Sequence, residues 1–214
     1  MKVYGFPLSP FVRKVLVVAE EKGVETQVVP TNPMAPDDEF VDCSPYRKIP
    51  AIDDNGFKLA DSSAIATYLE AKHPEPALLP ADPQARAKAV WFDEVADTIV
   101  MAAGGPMLFN RFVKPRFLGQ DCDEEVAQAA AEALEGRLGY LESVVGDEGW
   151  LDGQFSLGDI SIASVIKSLT YSGWTLDKSK YPKLAAWFER VQARDSWKAA
   201  AETENRIMAA AAAH

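Results

Sequence analysis

Histidine and cysteine are the scarcest chemically active residues in this chain. Its 214 residues include only two histidines, His73 and His214, and two cysteines, Cys43 and Cys122. A Ser-His-Asp triad, a Cys-His pair or a His-rich zinc site would have to be built from these few side chains, so we expect neither such catalysis nor a bound metal. The cysteines form no Cys-x-x-Cys motif, which indicates a reduced, cytoplasmic setting. The chain itself therefore supplies few strong nucleophiles or bases.

Basic residues and long apolar runs are also in short supply. Lys and Arg number 22 against 32 Asp and Glu, which gives a net charge of −10. Such acidity argues against a nucleic-acid partner, because the phosphate backbone attracts basic surfaces. The sequence shows no basic-then-apolar leader and no apolar run of membrane-spanning length, so we expect a cytoplasmic protein with no membrane partner.

Short strands and helices are predicted to alternate over residues 1–75. Apolar strand-like runs alternate with helical patterns in the order β-α-β-α-β-β-α, and Asn55-Gly56 predicts the hairpin turn between the last two strands. This order is typical of an α/β layer sandwich with a small mixed sheet.

A different pattern follows after a proline-rich stretch. We interpret residues 76–82 as an interdomain linker and predict an all-helical domain over 83–207 from its alanine-rich helical periodicity. A helix break is expected at Gly104-Gly105-Pro106. The alanine-rich tail, 208–214, is predicted to be disordered or frayed.

Three short motifs in the first domain have both a structural and a functional interpretation. Ser9-Pro10 fits a helix N-cap with proline at N1, but it also lies where a strand ends and a helix N-terminus can stabilise an anion. Without a histidine to deprotonate it, Ser9 is a poor nucleophile and a reasonable hydrogen-bond donor to a thiolate supplied by another molecule. Pro50 at a strand start fits an ordinary trans proline, and Asp61-Ser62 fits ordinary helix capping.

Taken together, these motifs resemble those of the cytosolic glutathione S-transferases. The resemblance is carried by four segments in order: Ser9-Pro-Phe-Val-Arg-Lys-Val15, Lys48-Ile-Pro50, Asp61-Ser-Ser-Ala-Ile65 and Gly153-Gln-Phe-Ser-Leu-Gly-Asp159. The first is most similar to serine-type enzymes such as the tau and phi classes and their bacterial relatives. The resemblance implies a thioredoxin-like N-terminal domain with a C-terminal helical bundle, working as a homodimer in detoxification.

The resemblance also implies a role for each matched residue. Ser9 would donate a hydrogen bond to the glutathione sulfur, and Ile49, before a cis Pro50, would pair its backbone with the cysteinyl part of glutathione. Ser62 would hold the γ-glutamyl carboxylate, Asp61 its ammonium group, and Lys48 would face the glycine carboxylate. Many relatives carry Lys or His in the loop that corresponds to residues 31–36, whereas this loop has no basic residue.

A second-substrate pocket is expected where apolar side chains surround the Gly104–Pro106 segment. The candidates are Phe11, Met101, Phe109, Phe112 and Trp174, and the alternative is that these residues simply form core. The implied activity is attack by the glutathione thiolate, glutathione being the co-substrate, on a small hydrophobic electrophile. A glutathione-dependent reductase, peroxidase, isomerase or dehalogenase on the same fold stays an alternative, as does a non-catalytic binding or scaffold protein.

Other charged and polar residues are assigned structural or surface roles. Ser156-Leu-Gly-Asp159 predicts a capping box that opens a core helix, with Asp159 as a buried structural carboxylate. Asp93 and Glu94 on the long helix are expected to be solvated or at an interface. Arg13 is interpreted either as a neighbour of glutathione or as a solvated side chain on the first helix.

Overall fold

Short strands and helices alternate over the first part of the chain in the computed structural model, which describes residues 1–32 and 34–212. The chain divides into two units, one formed by Met1–Leu78 with the chain from Gln192 onward and the other by Leu79–Val191. The last helix therefore belongs with the first unit, which differs from the predicted helical domain over 83–207.

The first unit is built on a four-stranded mixed sheet of β1 (Lys2–Tyr4), β2 (Gln27–Val29), β3 (Ala51–Asp54) and β4 (Phe57–Ala60). The strand order in the sheet is β2-β1-β3-β4. β1 pairs in parallel with β2 and antiparallel with β3, and β3 and β4 form an antiparallel hairpin. The turn between them has a positive φ at both Asn55 and Gly56, as an Asn-Gly turn requires.

Three helices connect these strands: α1 (Pro10–Glu21), α2 (Asp38–Cys43) and α3 (Ser62–Lys72). One face of α1 is fully buried through apolar residues at helical spacing, among them Val12, Val15 and Ala19, and α1 packs on α3. Tyr4, Phe40, Cys43 and Ala51 form a buried cluster between β1, α2 and β3. The predicted β-α-β-α-β-β-α order and the thioredoxin-like architecture are thus confirmed.

The last helix, α9 (Asp195–Ala212), packs on α1. Arg13 is buried and forms an ion pair of 2.8 Å with Glu204 of α9, so it is not the solvated side chain that one interpretation expected. Glu21 at the end of α1 accepts hydrogen bonds from Arg194 and Ser196. Burial alone would raise the pKa of Glu21, but these bonds lower it below its usual value.

The alanine-rich tail is helical over most of its length. α9 continues through residues 208–212, which we expected to be frayed; alanine has the highest helix propensity, so the run extends the helix. Residues 213 and 214 lie outside the described residues.

The proline-rich stretch before the second unit is fastened to α1 and α3 by a buried ion pair. Lys22 and Glu70 approach to 2.5 Å, and the Lys22 ammonium group also donates to the Pro76 carbonyl oxygen. Glu70 accepts a further bond from the Leu78 backbone N–H at 3.1 Å. Residues 76–78 are therefore held in place by specific contacts within the first unit.

The second unit is entirely helical in the part of the chain that the structure describes. Its first helix runs without a break from Pro83 to Leu118, and Gly104 and Pro106 lie inside it, so the predicted break is wrong. A Cβ at Gly104 would lie 2.8 Å from Leu169, which explains the glycine as a close helix contact. The elements are α4 (Pro83–Glu94), a π-helical segment (Val95–Val100), α5 (Met101–Leu108), a second π-helical segment (Phe109–Leu118), α6 (Glu124–Val144), α7 (Leu157–Leu169), a short 3₁₀ turn (Thr170–Ser172) and α8 (Pro182–Gln192).

The core of this unit is α7, which packs on α4. The Asp159 carboxylate accepts from the Ser156 backbone N–H at 3.0 Å and from the Trp187 indole N–H at 2.7 Å, which confirms a buried structural role. Burial raises the pKa of Asp159 despite these bonds. Asp93 is also buried and accepts from the Ser161 hydroxyl at 2.6 Å, so the expectation of a solvated or interface residue is wrong.

Among residues 1–32 and 34–212, no helix is both long and apolar enough to cross a lipid bilayer.

Candidate functional site

The junction between β1 and α1 places Ser9 at the first position before the helix. Pro10 supplies the N1 residue, and the Ser9 carbonyl accepts the first helical bond from the Arg13 N–H at 3.0 Å. The Ser9 hydroxyl makes no capping bond and has no hydrogen-bond partner among the described residues. Ser9 is half-buried at a helix N-terminus, so its hydroxyl is available to a ligand where the helix dipole favours negative charge.

The loop before β3 carries Lys48, Ile49 and Pro50. The Ile49–Pro50 peptide bond is cis. The Ser44 hydroxyl fixes the loop because it donates to the Lys48 carbonyl oxygen at 2.8 Å and accepts from the Lys48 N–H at 2.9 Å. The Ile49 backbone makes no hydrogen bond within the part of the chain that the structure describes, and sheet pairing begins at Ala51. An extended peptide could therefore pair with Ile49, and the exposed Lys48 lies next to it.

The start of α3 presents a second helix N-terminus. One carboxylate oxygen of Asp61, Oδ1, accepts from the backbone N–H groups of Ser63 and Ala64, both at 3.0 Å. Asp61 has a φ of 84°, which is costly for a non-glycine residue and is offset by these two bonds. The second Asp61 oxygen makes no such capping bond, and the Ser62 hydroxyl has no partner among the described residues. Asp61 thus both caps the helix and keeps one oxygen for a ligand.

These segments converge within the first unit. A Cβ at Gly5, at the end of β1, would lie 2.5 Å from Val12 and 3.3 Å from Ile49, so only glycine lets α1 and the Ile49 loop approach so closely. The Asp61 N–H donates to the Pro50 carbonyl oxygen at 3.3 Å, which joins the cis proline to the start of α3. The buried Lys14 of α1 donates to the Ser63 hydroxyl at 3.3 Å. Two helix N-termini and an unpaired strand edge therefore share one region that is suited to an anionic, peptide-like ligand.

The residues expected to bind the second substrate are divided between the first and the second unit. Phe11 belongs to the first unit and lies half-buried beside Lys14, whose Nζ is 6.0 Å from the ring centroid. In the second unit Met101 packs beside Gly105, and Phe109 is 43% exposed with the Lys114 Nζ at 5.9 Å from its ring centroid.

Phe112 belongs to an aromatic cluster that the sequence did not reveal. Its ring stacks on Tyr171 with 5.3 Å between centroids and meets Phe117 edge-on at 5.7 Å. Phe112 and Phe117 are five residues apart, and the π-helical turn, with its i to i+5 spacing, places them on one face. A search at the ordinary helical spacing of three or four residues misses this pair. The clue in the sequence was Pro115 in an aromatic-rich helix.

Trp174 is engaged elsewhere in the second unit. It lies beside Glu135 of α6, which accepts from Lys180 at 2.6 Å and Tyr181 at 2.9 Å. Burial alone would raise the pKa of Glu135, but these bonds lower it. No ring contact joins Trp174 to Phe112 among the described residues.

No group of three or more His, Cys, Asp and Glu side chains capable of holding a metal occurs within residues 1–32 and 34–212. Cys43 is buried and Cys122 exposed, and neither forms a disulfide. Burial raises the pKa of the Cys43 thiol, which makes its thiolate less available.

Comparison with known proteins shows the family to which this chain belongs. Residues 3–77 match the family described as glutathione S-transferase, N-terminal domain, and residues 123–190 match the corresponding C-terminal domain. A glutathione S-transferase of Hyoscyamus muticus is 30% identical over 94% of this chain and 98% of its own length. Glutathione S-transferase 3 of Zea mays is 31% identical over 92% of this chain and 91% of its own length.

Solved structures show the same fold. Glutathione S-transferase I bound with lactoylglutathione superposes with a TM-score of 0.81 at 27% identity, covering 94% of this chain and 98% of that one. The chain belongs to the glutathione S-transferase family and is a glutathione transferase.

Proposed function

We propose that this transferase activates the thiol of glutathione as a thiolate for attack on small hydrophobic electrophiles, with Ser9 as the donor to the sulfur. The observation that carries the proposal is the Ser9 hydroxyl, which lies at the N-terminus of α1 and makes no capping bond. A serine that served only as a cap would accept a hydrogen bond from a backbone N–H of the first helical turn. This one is left free for a ligand.

The physical effect required is a lower thiol pKa. A free thiol ionises with a pKa of about 8.5, so little thiolate is present near neutral pH. A helix N-terminus and one hydroxyl donor both favour the ionised form, and each unit of pKa corresponds to about 1.4 kcal/mol. The thiolate is supplied by the co-substrate, so the scarcity of histidine and cysteine in the chain is no obstacle.

The other residues around Ser9 are proposed to hold the rest of glutathione. The Ile49 backbone would pair with the cysteinyl residue as an added strand, and Pro50 would fix its direction. Ser62 with the N-terminus of α3 would hold the γ-glutamyl carboxylate, and Asp61 the ammonium group. Lys48 is proposed to meet the glycine carboxylate, since its side chain is exposed and has no partner among the described residues.

For the electrophile we propose apolar side chains of the second unit, namely Met101, Phe109 and Phe112. The Phe112 ring stack supports this choice best, because it presents half-buried aromatic surface. Trp174 is a weaker candidate, since no ring contact joins it to Phe112 among the described residues and it lies beside Glu135 instead.

The proposal is tested by conjugation assays with a panel of aromatic halides, epoxides and unsaturated carbonyl compounds. With millimolar glutathione, the protein should raise the rate above the uncatalysed rate in proportion to its concentration. S-methylglutathione, which cannot form a thiolate, is the control and should give no product. Activity confined to disulfides or peroxides would contradict conjugation, and absence of any turnover together with absence of glutathione binding would favour a non-catalytic protein.

We further propose a cytoplasmic homodimer that acts in detoxification. Trp91 of α4 and Tyr140 of α6 are 46% and 50% exposed and meet edge-on at 5.6 Å, which leaves an apolar surface that a second copy could cover. Sedimentation of the wild type should give a dimer mass and Trp91→Glu a monomer. A monomeric wild type at micromolar concentration would contradict the dimer.

A further inference from the structure

The edge of the sheet that carries the candidate site is formed by the ends of β1 and β2 and the start of β3. β1 and β2 are parallel, so the segments that follow Tyr4 and Val29 leave the sheet at the same edge, and the Gly5 N–H donates to the Val29 carbonyl oxygen at 3.1 Å. β3 runs antiparallel to β1, so Ile49, which precedes it, lies at this edge too. The segment between β2 and α2 therefore begins beside the segment that leads to Ser9.

Polar side chains of the segment between β2 and α2 are bonded to nearby backbone. The Thr31 hydroxyl donates at 2.9 Å to the carbonyl oxygen two residues before it, and the Asn32 side-chain oxygen accepts from the Met34 N–H at 3.0 Å. Asp37 caps α2, because its carboxylate accepts from the Phe40 N–H at 2.8 Å. These oxygen atoms are therefore engaged locally rather than held out towards a ligand.

The charge around this segment is negative. Residues 30–42 contain four acidic residues and no lysine, arginine or histidine. Glu39 pairs with Lys2 at 2.5 Å, whereas the exposed Asp38 forms neither an ion pair nor a side-chain hydrogen bond in the part of the chain that the structure describes. Arg47 and Lys48, before β3, are exposed and form no ion pair among the described residues. This side of the site therefore offers exposed side chains of both charges.

The start of α3 is built in a different way. Ser62 is buried, and Asp61 is fixed by its two capping bonds of 3.0 Å. Groups held in this way need no ordering before they bind, whereas an exposed lysine such as Lys48 loses side-chain freedom when it pairs with an anion. An exposed ion pair therefore changes an affinity by about fivefold at most, and salt screens it.

We propose that the site selects its thiol co-substrate by the γ-glutamyl and cysteinyl parts, and that it accepts γ-glutamylcysteinyl peptides with an amidated or extended C-terminus almost as well as glutathione. The fixed groups at the start of α3 recognise the γ-glutamyl end, while the C-terminal end lies beside exposed side chains of both charges. This inference rests on the proposed function and widens its thiol substrate from glutathione to a class of peptides that share its first two residues.

The experiment compares four thiols with one aromatic halide: glutathione, its C-terminal amide, that amide extended by one glycine, and cysteinylglycine, which lacks the γ-glutamyl group. Each kcat/KM is divided by the uncatalysed second-order rate constant of the same thiol at the same pH, which removes differences in intrinsic reactivity. We expect both amides to lie within about fivefold of glutathione at low salt and closer at high salt. Cysteinylglycine should be slower by about 100-fold or more, because it loses hydrogen bonds between charged groups.

The variants change the charge at one side of the site or at the far end of β2. Ala35→Lys places a cation on the exposed segment after β2 and should raise the preference for glutathione over its amide by about threefold to fivefold at low salt. Lys48→Gln should bring that preference close to one. Glu25→Gln is the control for Ala35→Lys, with an equal charge change. Glu25 is exposed and precedes β2 at the opposite edge of the sheet, so this variant should keep the wild-type ratio.

The outcomes separate this inference from the proposed function. If none of the thiols is conjugated, the proposed function fails. If glutathione is conjugated but its amide is slower by more than about tenfold, conjugation stands and tolerance of the C-terminal end is overturned. The inference is also overturned if cysteinylglycine reacts as fast as glutathione, or if Ala35→Lys and Glu25→Gln give the same ratio.

Discussion

Replacing Ser9 by Ala tests whether the Ser9 hydroxyl serves the glutathione sulfur or only the start of α1. The change removes one hydroxyl that has no hydrogen-bond partner among the described residues, and it leaves Pro10 and the helix N-terminus in place. A helix cap that is actually made contributes about 0.5–2 kcal/mol, but no such bond is lost here, so unfolding free energy should change by less than about 0.5 kcal/mol.

The effect on the bound thiol should be much larger. A hydrogen bond to a charged group contributes about 1.5–3 kcal/mol, which corresponds to a rise of about one to two units in the thiol pKa. Below both pKa values the variant should therefore be about 10- to 100-fold slower, since the thiolate fraction falls by that factor. Above the raised pKa both proteins hold thiolate, so the two rates should converge.

The assay is the pH dependence of conjugation at saturating glutathione, together with the ultraviolet absorbance of the bound thiolate. Ser156→Ala is the matched control, because Ser156 precedes α7 and takes part in a capping box that is formed. That variant should lose stability and keep the wild-type pH profile. If Ser9→Ala instead unfolds easily and keeps the profile, then Ser9 is a cap and the assignment is refuted.

Three further predictions concern the fold that supports the site. Glu204→Gln breaks a buried ion pair with Arg13 of α1 and should lower the free energy of unfolding by about 3 kcal/mol in urea titrations. Glu202→Gln, on the exposed face of the same helix, should change it by less than about 0.5 kcal/mol. A loss below about 1 kcal/mol in Glu204→Gln would contradict the contribution of the buried pair. Gly158→Ala places a Cβ 2.6 Å from the Cβ of Phe92 in α4 and should lower the free energy of unfolding by about 1–3 kcal/mol. Gly136→Ala, where the added Cβ meets open space, should raise it by about 0.5–1 kcal/mol. Equal effects of the two variants would be inconsistent with close packing of α4 on α7. The pKa of Glu21 is lowered in the folded state, so its stabilising contribution is present above about pH 4.3 and is lost as pH falls through the folded value. The difference in unfolding free energy between the wild type and Glu21→Gln should therefore shrink on acidification. A difference that stays constant with pH would argue against the pKa shift.

Local patterns in the sequence were sufficient to predict the fold of the first unit, whereas the roles of its candidate site residues stay a prediction. The strands, the Asn-Gly turn and the residues at the starts of α1 and α3 depend on neighbours a few positions away, and the structure places Ser9, Ile49 and Asp61 around the same edge of the unit. The sequence did not show whether each of these side chains already has a hydrogen-bond partner within its own helix. Ser9 and Asp61 both stand before helices, yet only Asp61 makes the capping bonds.

The failures arise where distant packing overrides local preference. Gly104 and Pro106 favour a break, but close contact with Leu169 of α7 keeps the long helix continuous. Asp93 looks like a surface carboxylate until Ser161 of α7 supplies its partner. The π-helical turn that joins Phe112 to Phe117 changes the spacing itself, so ordinary helical periodicity could not have found it.

The central claim is that glutathione binds as a thiolate, and proton release on binding measures this directly. Calorimetric titrations with glutathione at about pH 7, in two buffers of different ionisation enthalpy, give the number of protons released per molecule bound. Because a free thiol is almost fully protonated at that pH, we predict release of close to one proton in the wild type, less in Ser9→Ala, and none with S-methylglutathione. Tight binding of glutathione without proton release, or no binding at millimolar concentration, would contradict the account.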